Sequence, residues 1–188
     1  MSSVIISGDT SGAITLSAPA VAGTNTITLP ASTGTVQINN GPAFSAYAGS
    51  TVSLNSNANT TLIYNVKDFD TATCFNNTGS TVTLNGISVP AYAFAPNVAG
   101  YYQINVSNYI GFTGGSTNMA LQIFKNGSQY LISNGFSGAS NSYSQASCVL
   151  YLNGTSDYVT AVMYWTGAGA STGSGTGYKF NGCLLRTA

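Results

Sequence analysis

The fold is decided by the stretch Tyr92-Ala93-Phe94-Ala95-Pro96-Asn97-Val98-Ala99-Gly100-Tyr101-Tyr102-Gln103-Ile104-Asn105-Val106. From Tyr102 to Val106 apolar and polar residues alternate, which is the period-two pattern of a strand with one buried face. Proline cannot donate to a strand ladder, so we expect Pro96 at a strand end or edge. The stretch therefore predicts a strand that begins shortly after Pro96 and turns one face to a core.

The same strand pattern recurs along the chain, with turn residues between the strands. Period-two segments lie at 13–16, 26–29, 51–54, 81–84 and 120–124. Asn126-Gly127 follows the last of them directly, and Asn-Gly between two strands is the strongest short hairpin signal. Weaker copies of this turn are Asn85-Gly86, Asn134-Gly135 and Asn153-Gly154. Because Thr, Val, Ile and Tyr are common and helix formers are scarce, the sequence predicts an all-β sandwich or barrel.

The chain carries very little charge. Only 4% of its 188 residues are charged and the formal net charge is zero, whereas average soluble domains have about 25% charged residues. No basic patch is available to neutralise nucleic-acid phosphates, and no apolar run is long enough to span a bilayer. The start of the chain has no basic region typical of a secretion signal, so we expect synthesis in a cytosol. Weak self-repulsion favours association, as inside an assembly.

The aromatic residues divide the chain into two parts. All of them follow the sequence Asn39-Asn40-Gly41-Pro42, and the residues before it are rich in Thr, Ser, Gly and Ala. Aromatic side chains dominate core burial, so residues 1–40 cannot build a core alone. We therefore expect an extended β arm at 1–40 that pairs with another partner, and a folded head at 41–188.

A glycine-rich segment lies near the end of the head. Residues 166–177 contain no large apolar side chain, and we expect them to form a long flexible loop. Trp165 precedes this segment and is the best single candidate for an exposed contact, although core burial is the favoured interpretation. The twelve tyrosines are candidates for a sugar- or protein-binding surface, although packing in the core and between chains is the favoured interpretation.

Six ordered parts of the head resemble the C1q/TNF-like family. Residues 42–46 resemble its opening strand, residues 92–102 its Phe-x-x-Pro-x-x-Gly-x-Tyr-x-Phe signature, and residues 180–185 its closing Phe-x-Gly-x-Leu-Leu. Segments 67–77, 121–127 and 149–159 match in between, although Ser156 replaces the glycine that the family has before Asp157. The resemblance implies a ten-stranded jelly roll that assembles as a compact trimer. It implies core or trimer-interface roles for Phe44, Phe94, Gly100, Tyr102, Phe180, Gly182 and Leu184.

The arm has a resemblance of its own. Residues 12–36 are similar to segments of tailed-bacteriophage structural proteins, which precede a trimeric fibre or knob. The resemblance implies a chain that is part of a virion and is attached to it through residues 1–40.

The residues needed for catalysis are scarce. The chain has no histidine, so it has neither the commonest proton shuttle nor a Ser-His-Asp or Cys-His arrangement. Cys74, Cys148 and Cys183 are too few for a zinc site without histidine, and we expect each to be a small buried residue, with one disulfide as the alternative. We expect no enzyme activity and no cofactor.

A cation site is the one metal candidate. Asp68 and Asp70 are two residues apart and would share a strand face, where they could hold a calcium ion with carbonyl oxygens. Some C1q-like heads bind calcium. The alternative is a solvated strand end beside Lys67.

These observations favour a non-enzymatic structural protein on the surface of a bacteriophage virion. A trimeric capsid decoration or cement protein is the leading hypothesis, because the chain has no fibre shaft and a trimer matches three-fold positions of a shell. The alternative is the receptor- or glycan-binding head of a tail fibre or tailspike, which would bind a host surface glycan through loop tips such as 166–177. An enzyme such as a depolymerase is the least supported class.

Overall fold

The computed structural model describes residues 3–7, 10–17, 20–21, 23–24, 41–112, 116–135 and 141–188. The chain divides into two compact units, Met1–Val36 and Gln37–Ala188. Asn39 and Asn40 of the expected domain boundary, and the strand expected at 26–29, lie outside the described residues. The division into arm and head at residue 40 therefore stays a prediction.

The described residues of the first unit form an antiparallel hairpin. Strand β1 (Ser3–Ser7) pairs with β2 (Ala13–Ser17), so Val4 is opposite Leu16 and Ile6 is opposite Ile14. These four apolar side chains share one face of the hairpin, and each is more than half exposed. An isolated two-stranded hairpin is marginally stable in water.

The described residues of the second unit, the head, form strands and turns, and the described part of the chain has no helix long and apolar enough to cross a membrane. Its strands are β3 (Ala43–Ala48), β4 (Ser53–Leu54), β5 (Ala58–Thr61), β6 (Val66–Asp70), β7 (Val82–Leu84), β8 (Ile87–Val89), β9 (Gly100–Phe112), β10 (Ser116–Lys125), β11 (Ser128–Gly135), β12 (Asn141–Leu152), β13 (Val159–Gly167), β14 (Ala170–Thr172) and β15 (Gly175–Thr187).

The head strands form two main sheets. The larger sheet has the order β4-β14-β9-β15-β3-β6, with β12 paired to the other edge of β9. The smaller sheet has the order β11-β10-β13-β5, and β7 and β8 form a separate hairpin. All pairings are antiparallel. The prediction of an all-β sandwich is confirmed. The described head has more strands than the expected ten, because several of its strands are short.

The core lies between the two sheets and is built on aromatic side chains. Phe44 stacks on Phe75 and Phe94, with ring centroids 4.7 and 4.4 Å away, and meets the edge of Phe180 at 4.9 Å. Tyr102 on β9 packs against Phe94 at 5.6 Å. Along β9 the buried and less buried residues alternate from end to end, as the period-two pattern predicts.

Two predicted turns are confirmed. Asn126-Gly127 joins β10 to β11 with φ values of 51° and 76°, and Asn85-Gly86 joins β7 to β8 with φ values of 50° and 79°. Positive φ at both central residues is what a type I′ hairpin requires, and Asn-Gly tolerates it. Asn134-Gly135, in contrast, lies at the end of strand β11, so that turn prediction is wrong.

The prediction of a flexible loop at 166–177 is also wrong. Strand β14 lies in its middle, and Ala170 and Thr172 are buried where β14 pairs with β9. Gly167 and Gly169 have positive φ values and allow the tight turn from β13 into β14. The small side chains of this segment fit a strand position close to the edge of the core. Small side chains alone therefore do not indicate a loop.

Candidate functional site

The residues carried over from the family resemblance lie together in the core. Phe44, Phe94, Tyr102 and Phe180 are fully buried, and Leu184 packs against the same cluster. A Cβ on Gly100 would lie 2.5 Å from the carbonyl oxygen of Arg186 on the neighbouring strand β15. Glycine therefore lets β9 and β15 approach. Any role of these residues at a trimer interface stays a prediction.

The outward side of the larger sheet forms the broadest candidate surface. We call it the larger-sheet face. Strand register places its side chains at alternate positions of three neighbouring strands. It comprises Tyr101, Gln103, Asn105, Ser107 and Tyr109 of β9, Tyr143, Gln145, Ser147, Val149 and Tyr151 of β12, and Asn181 and Cys183 of β15.

A ladder of neutral polar side chains crosses the middle of this face. Gln103 Nε2 donates to Ser147 Oγ at 2.8 Å, and Ser147 Oγ donates to Asn105 Oδ1 at 2.8 Å. Asn105 Nδ2 then donates to Asn181 Oδ1 at 3.0 Å. The ladder fixes four side chains across three strands without any charge, so a partner meets a surface that is already ordered.

Aromatic clusters lie at both ends of the larger-sheet face. Tyr101 and Tyr151 are 5.7 Å apart at one end, where the Arg186 guanidinium lies 4.6 Å from the Tyr101 ring centroid. At the other end Tyr109 packs against Tyr143 at 5.1 Å. Tyr143 is 74% exposed, and Val149 between the clusters is 47% exposed. Tyrosine and arginine side chains, such as those at both ends of this face, are enriched at protein interfaces.

Strand β12 borders this face as a long sheet edge. It pairs with β9 over 12 residues, and in the described residues no strand pairs with its other side. Side chains satisfy part of that side, because Lys125 Nζ donates to the Tyr151 carbonyl at 2.8 Å and Tyr130 Oη donates to the Val149 carbonyl at 3.2 Å. A long edge strand promotes unwanted pairing unless an assembly covers it.

Most charged side chains of the described head form ion pairs. Lys67 pairs with Asp70, Lys125 with Asp157 and Lys179 with Asp68; of the charged side chains in the described head, only Arg186 lacks an ion pair. The Lys179 ammonium, followed by the Ser45 hydroxyl, lowers the pKa of Asp68. Because so few charges of the head are unpaired, recognition of a partner by the larger-sheet face would depend on shape and neutral hydrogen bonds.

The calcium candidates do not converge. Asp68 Oδ2 accepts from Lys179, while Asp70 Oδ2 accepts from Lys67 at 2.8 Å and its Oδ1 accepts from the Cys74 amide at 2.9 Å. A cation would have to displace an ammonium group from each carboxylate. A shift in the pairing of β3 with β6 at this point also breaks the common face on which the sequence argument relied. Among the described residues, no three acidic or cysteine side chains are grouped for a metal.

Asp157 belongs to a structural cluster. Its Oδ1 accepts from Asn126 Nδ2 at 2.7 Å and its Oδ2 accepts from the Asn153 amide at 3.0 Å, beside the Lys125 ammonium. Burial opposes ionisation, but these hydrogen bonds outweigh it and lower the pKa of Asp157. Asn153 Oδ1 accepts hydrogen bonds from three backbone amides and so holds this turn. The turn forms although Ser156 replaces the glycine found in the family.

Trp165 is not a surface contact. It is fully buried and packs against Phe112, with ring centroids 5.1 Å apart. The residue lies on the core-facing side of β13, because it alternates with Val159, Ala161 and Met163, which belong to the same core cluster. Core burial, the favoured interpretation of the sequence, therefore describes this residue.

The three cysteines are free and differ in exposure. Cys74 is buried, Cys148 is half-buried and Cys183 is exposed, so the expectation of three buried residues fails for Cys183. Burial raises the pKa of the Cys148 thiol to about 11 and also raises that of Cys74. Cys148 and Cys183 lie on opposite faces of the larger sheet, which separates their side chains.

Sequence reasoning missed a concavity on the outward side of the smaller sheet. It has a volume of about 310 Å³, and its lining residues all come from four strands, β5, β10, β11 and β13. Its lining includes Asn59, Gln122, Asn134 and Tyr164. The single residues carry no signal in the sequence, because polar residues at alternate strand positions are expected to be solvated. Only the register of the four strands brings them together.

The fold resembles solved jelly-roll structures, whereas neither a family model nor a curated protein matches the sequence. Murine APRIL at pH 5.0 superposes with a TM-score of 0.54 and 9% identity over 77% of this chain and 99% of that one. Eiger TNF from S. frugiperda has a TM-score of 0.50 and 12% identity over 79% and 95%. The PRD1 vertex protein P5 has a TM-score of 0.45 and 15% identity over 79% and 99%. The first two confirm the predicted TNF-like jelly roll.

Proposed function

We propose that this chain is a non-enzymatic structural protein whose head forms a homotrimer and whose arm, residues 1–40, attaches it to the surface of a bacteriophage virion. The observation that carries the proposal is the larger-sheet face. It combines exposed aromatic residues, a pre-ordered neutral ladder and the long edge strand β12 on one side of the head. Three copies around a three-fold axis would cover this side of each chain.

The low charge of the head supports association. With a formal net charge of zero and three internal ion pairs, copies of the head repel one another weakly. Of the described charged side chains, only Arg186, at one end of the larger-sheet face, lacks an ion pair, so covering the centre of that face leaves no unpaired charge to desolvate. The same inventory argues against an enzyme, since the chain has no histidine and the described carboxylates of the head each face a lysine.

The arm supports attachment. Its hairpin exposes Val4, Ile6, Ile14 and Leu16 on one face, and such a face needs a partner to be buried. Strand addition to a sheet of another protein would satisfy both the apolar face and the hairpin edges, with little need for charge. Together with the resemblance of residues 12–36 to phage structural segments, this favours a capsid decoration or cement protein, made in the host cytoplasm and located in the virion.

Copy number in purified particles tests the role. A decoration protein on a shell is expected at hundreds of copies per particle by quantitative mass spectrometry, whereas a tail-fibre head is expected at a handful. A chain without residues 1–40 should keep its head assembly and fail to co-sediment with particles. Absence of the full-length chain from particles, or unchanged attachment of the shortened chain, would overturn the proposal.

A further inference from the structure

The concavity on the outward side of the smaller sheet has a buried floor and a polar rim. Strand register aligns Ala120 with Asn134 on one neighbouring strand and Tyr164 on the other. Ala120 is 1% exposed, and its small side chain between two longer ones leaves the depression. Gln122, two residues further along the same strand, is 3% exposed and also lines it.

Gln122 has one hydrogen-bonding position that is not used. Its Nε2 donates to Asn59 Oδ1 at 3.2 Å, and no described residue donates to its Oε1, which is buried. If the oxygen and nitrogen of the Gln122 and Asn59 side-chain amides were exchanged, Gln122 Oε1 would accept from Asn59 and Gln122 Nε2 would be the atom without a partner. One end of the Gln122 amide therefore lacks a partner in either assignment. Buried polar groups in native proteins are nearly always satisfied, and this one belongs to a side chain that lines an open concavity.

The lining is uncharged and repeats one chemical group. Five carboxamides surround the floor: Asn59, Asn118, Gln122, Gln129 and Asn134. Each carboxamide offers acceptor and donor atoms side by side, which matches the neighbouring hydroxyl groups of a sugar ring. The half-buried Tyr164 ring adds an aromatic surface against which the apolar C–H face of a sugar can pack.

From this arrangement we propose that the concavity is a binding site for a neutral glycan, with the rim carboxamides holding adjacent sugar hydroxyls and one hydroxyl donating to Gln122 Oε1 after that side chain rotates toward the cavity. A glycan with carboxylate or sulfate groups fits poorly, because the lining supplies no cation. The site lies on the opposite side of the sandwich from the larger-sheet face, so it stays open when that face is covered. The proposal is independent of the virion role.

The substitution Gln122→Leu separates binding from folding. Leucine fills a similar volume and removes the unsatisfied amide, so the thermal midpoint should stay equal or rise while glycan binding falls at least tenfold. Asn134→Ala truncates the exposed rim and should weaken binding without changing the fold. Asn55→Ala truncates an exposed asparagine outside the concavity and serves as the matched control.

The test uses the full chain on an array of neutral glycans (dextran, mannan and galactan oligosaccharides) with sulfated and carboxylated glycans for comparison. Titration of the strongest neutral glycan then follows the wild type and the three variants. The expected result is binding to a neutral glycan that both site variants weaken and Asn55→Ala retains. Binding to no neutral glycan, binding to charged glycans alone, or equal binding by Gln122→Leu would overturn the site. Light scattering of the same samples reports assembly separately, so failure of this site is distinguishable from failure of the trimer.

Discussion

Gly182 on β15 lies directly beneath the ring of Phe44 on β3. The two residues are paired in the sheet, and a Cβ on Gly182 would approach Phe44 Cε1 to 3.1 Å, the Gln103 carbonyl oxygen to 2.9 Å and Ile104 Cδ1 to 2.6 Å. Two of these three neighbours are core side chains and the third is backbone. The absence of a side chain at Gly182 therefore allows Phe44 to stack at the centre of the core.

Gly182→Ala should destabilise the head. The added methyl group must displace Phe44 and Ile104, and overpacking of this kind costs about 1–3 kcal/mol. Urea unfolding followed by tryptophan fluorescence measures the change. Gly177→Ala on the same strand is the control, because a Cβ there meets no atom within 4 Å, and its effect should stay within about 0.5 kcal/mol. Equal effects of the two substitutions would contradict this account of Gly182.

Asp157→Asn should destabilise the head more than Asp68→Asn. Asparagine at 157 loses the ion pair with Lys125 and turns an amide toward Asn126, leaving buried groups unsatisfied at a cost of about 1–3 kcal/mol. The Asp68 carboxylate is more exposed, and exposed pairs contribute about 0–1 kcal/mol. Equilibrium unfolding at pH 7 compares the two variants. A larger loss for Asp68→Asn would show that the role of Asp157 is misjudged.

Thermal stability should be nearly constant between about pH 5 and 8, a window that lies between the unfolded-state pKa values of carboxyl and thiol groups. Asp68 and Asp157 have lowered pKa values, so their contribution is present above the unfolded carboxyl range and is lost as pH falls below it. Cys74 and Cys148 have raised pKa values, so their contribution is present below the unfolded thiol range and is lost as pH rises toward the folded values.

Part of the alkaline fall in thermal stability can be assigned to Cys148. Cys148→Ala should reduce the fall of the thermal midpoint above about pH 9, since the thiol that ionises more easily in the unfolded chain is removed. Ser88→Ala removes an exposed hydroxyl group, which does not ionise in this range, and should leave the fall unchanged. A profile in which both substitutions act equally would contradict the assignment.

Parts of the fold could be predicted because they depend on local chemistry. Asn126-Gly127 fixes a hairpin by its own backbone preferences, and alternation at 102–106 fixes which side chains of β9 enter the core. Trp165 is buried, as its favoured interpretation predicts. The strand at Ala170 could not be predicted, because small residues suit both loops and tight sheet contacts. The glycan site was missed for a similar reason. Gln122 looks like any solvated strand residue until register places it among the other four carboxamides.

Val149→Asp should disrupt self-association of the head. Val149 is exposed on the larger-sheet face, and a carboxylate there would be buried without a cation in a covered interface. The variant should show a lower solution mass at equal concentration and unchanged circular dichroism. Ser88→Asp, on the exposed side of the β7–β8 hairpin, should keep the wild-type mass. If Val149→Asp assembles like the wild type, the larger-sheet face is not the interface.

Self-assembly of the TNF-like head determines the solution mass of the full chain. Multi-angle light scattering at several concentrations should give a species of three chain masses that persists on dilution. Separating the chains would expose the β12 edge and the larger-sheet face to water. A stable monomer across the whole concentration range would contradict the account and leave the larger-sheet face without its proposed occupant.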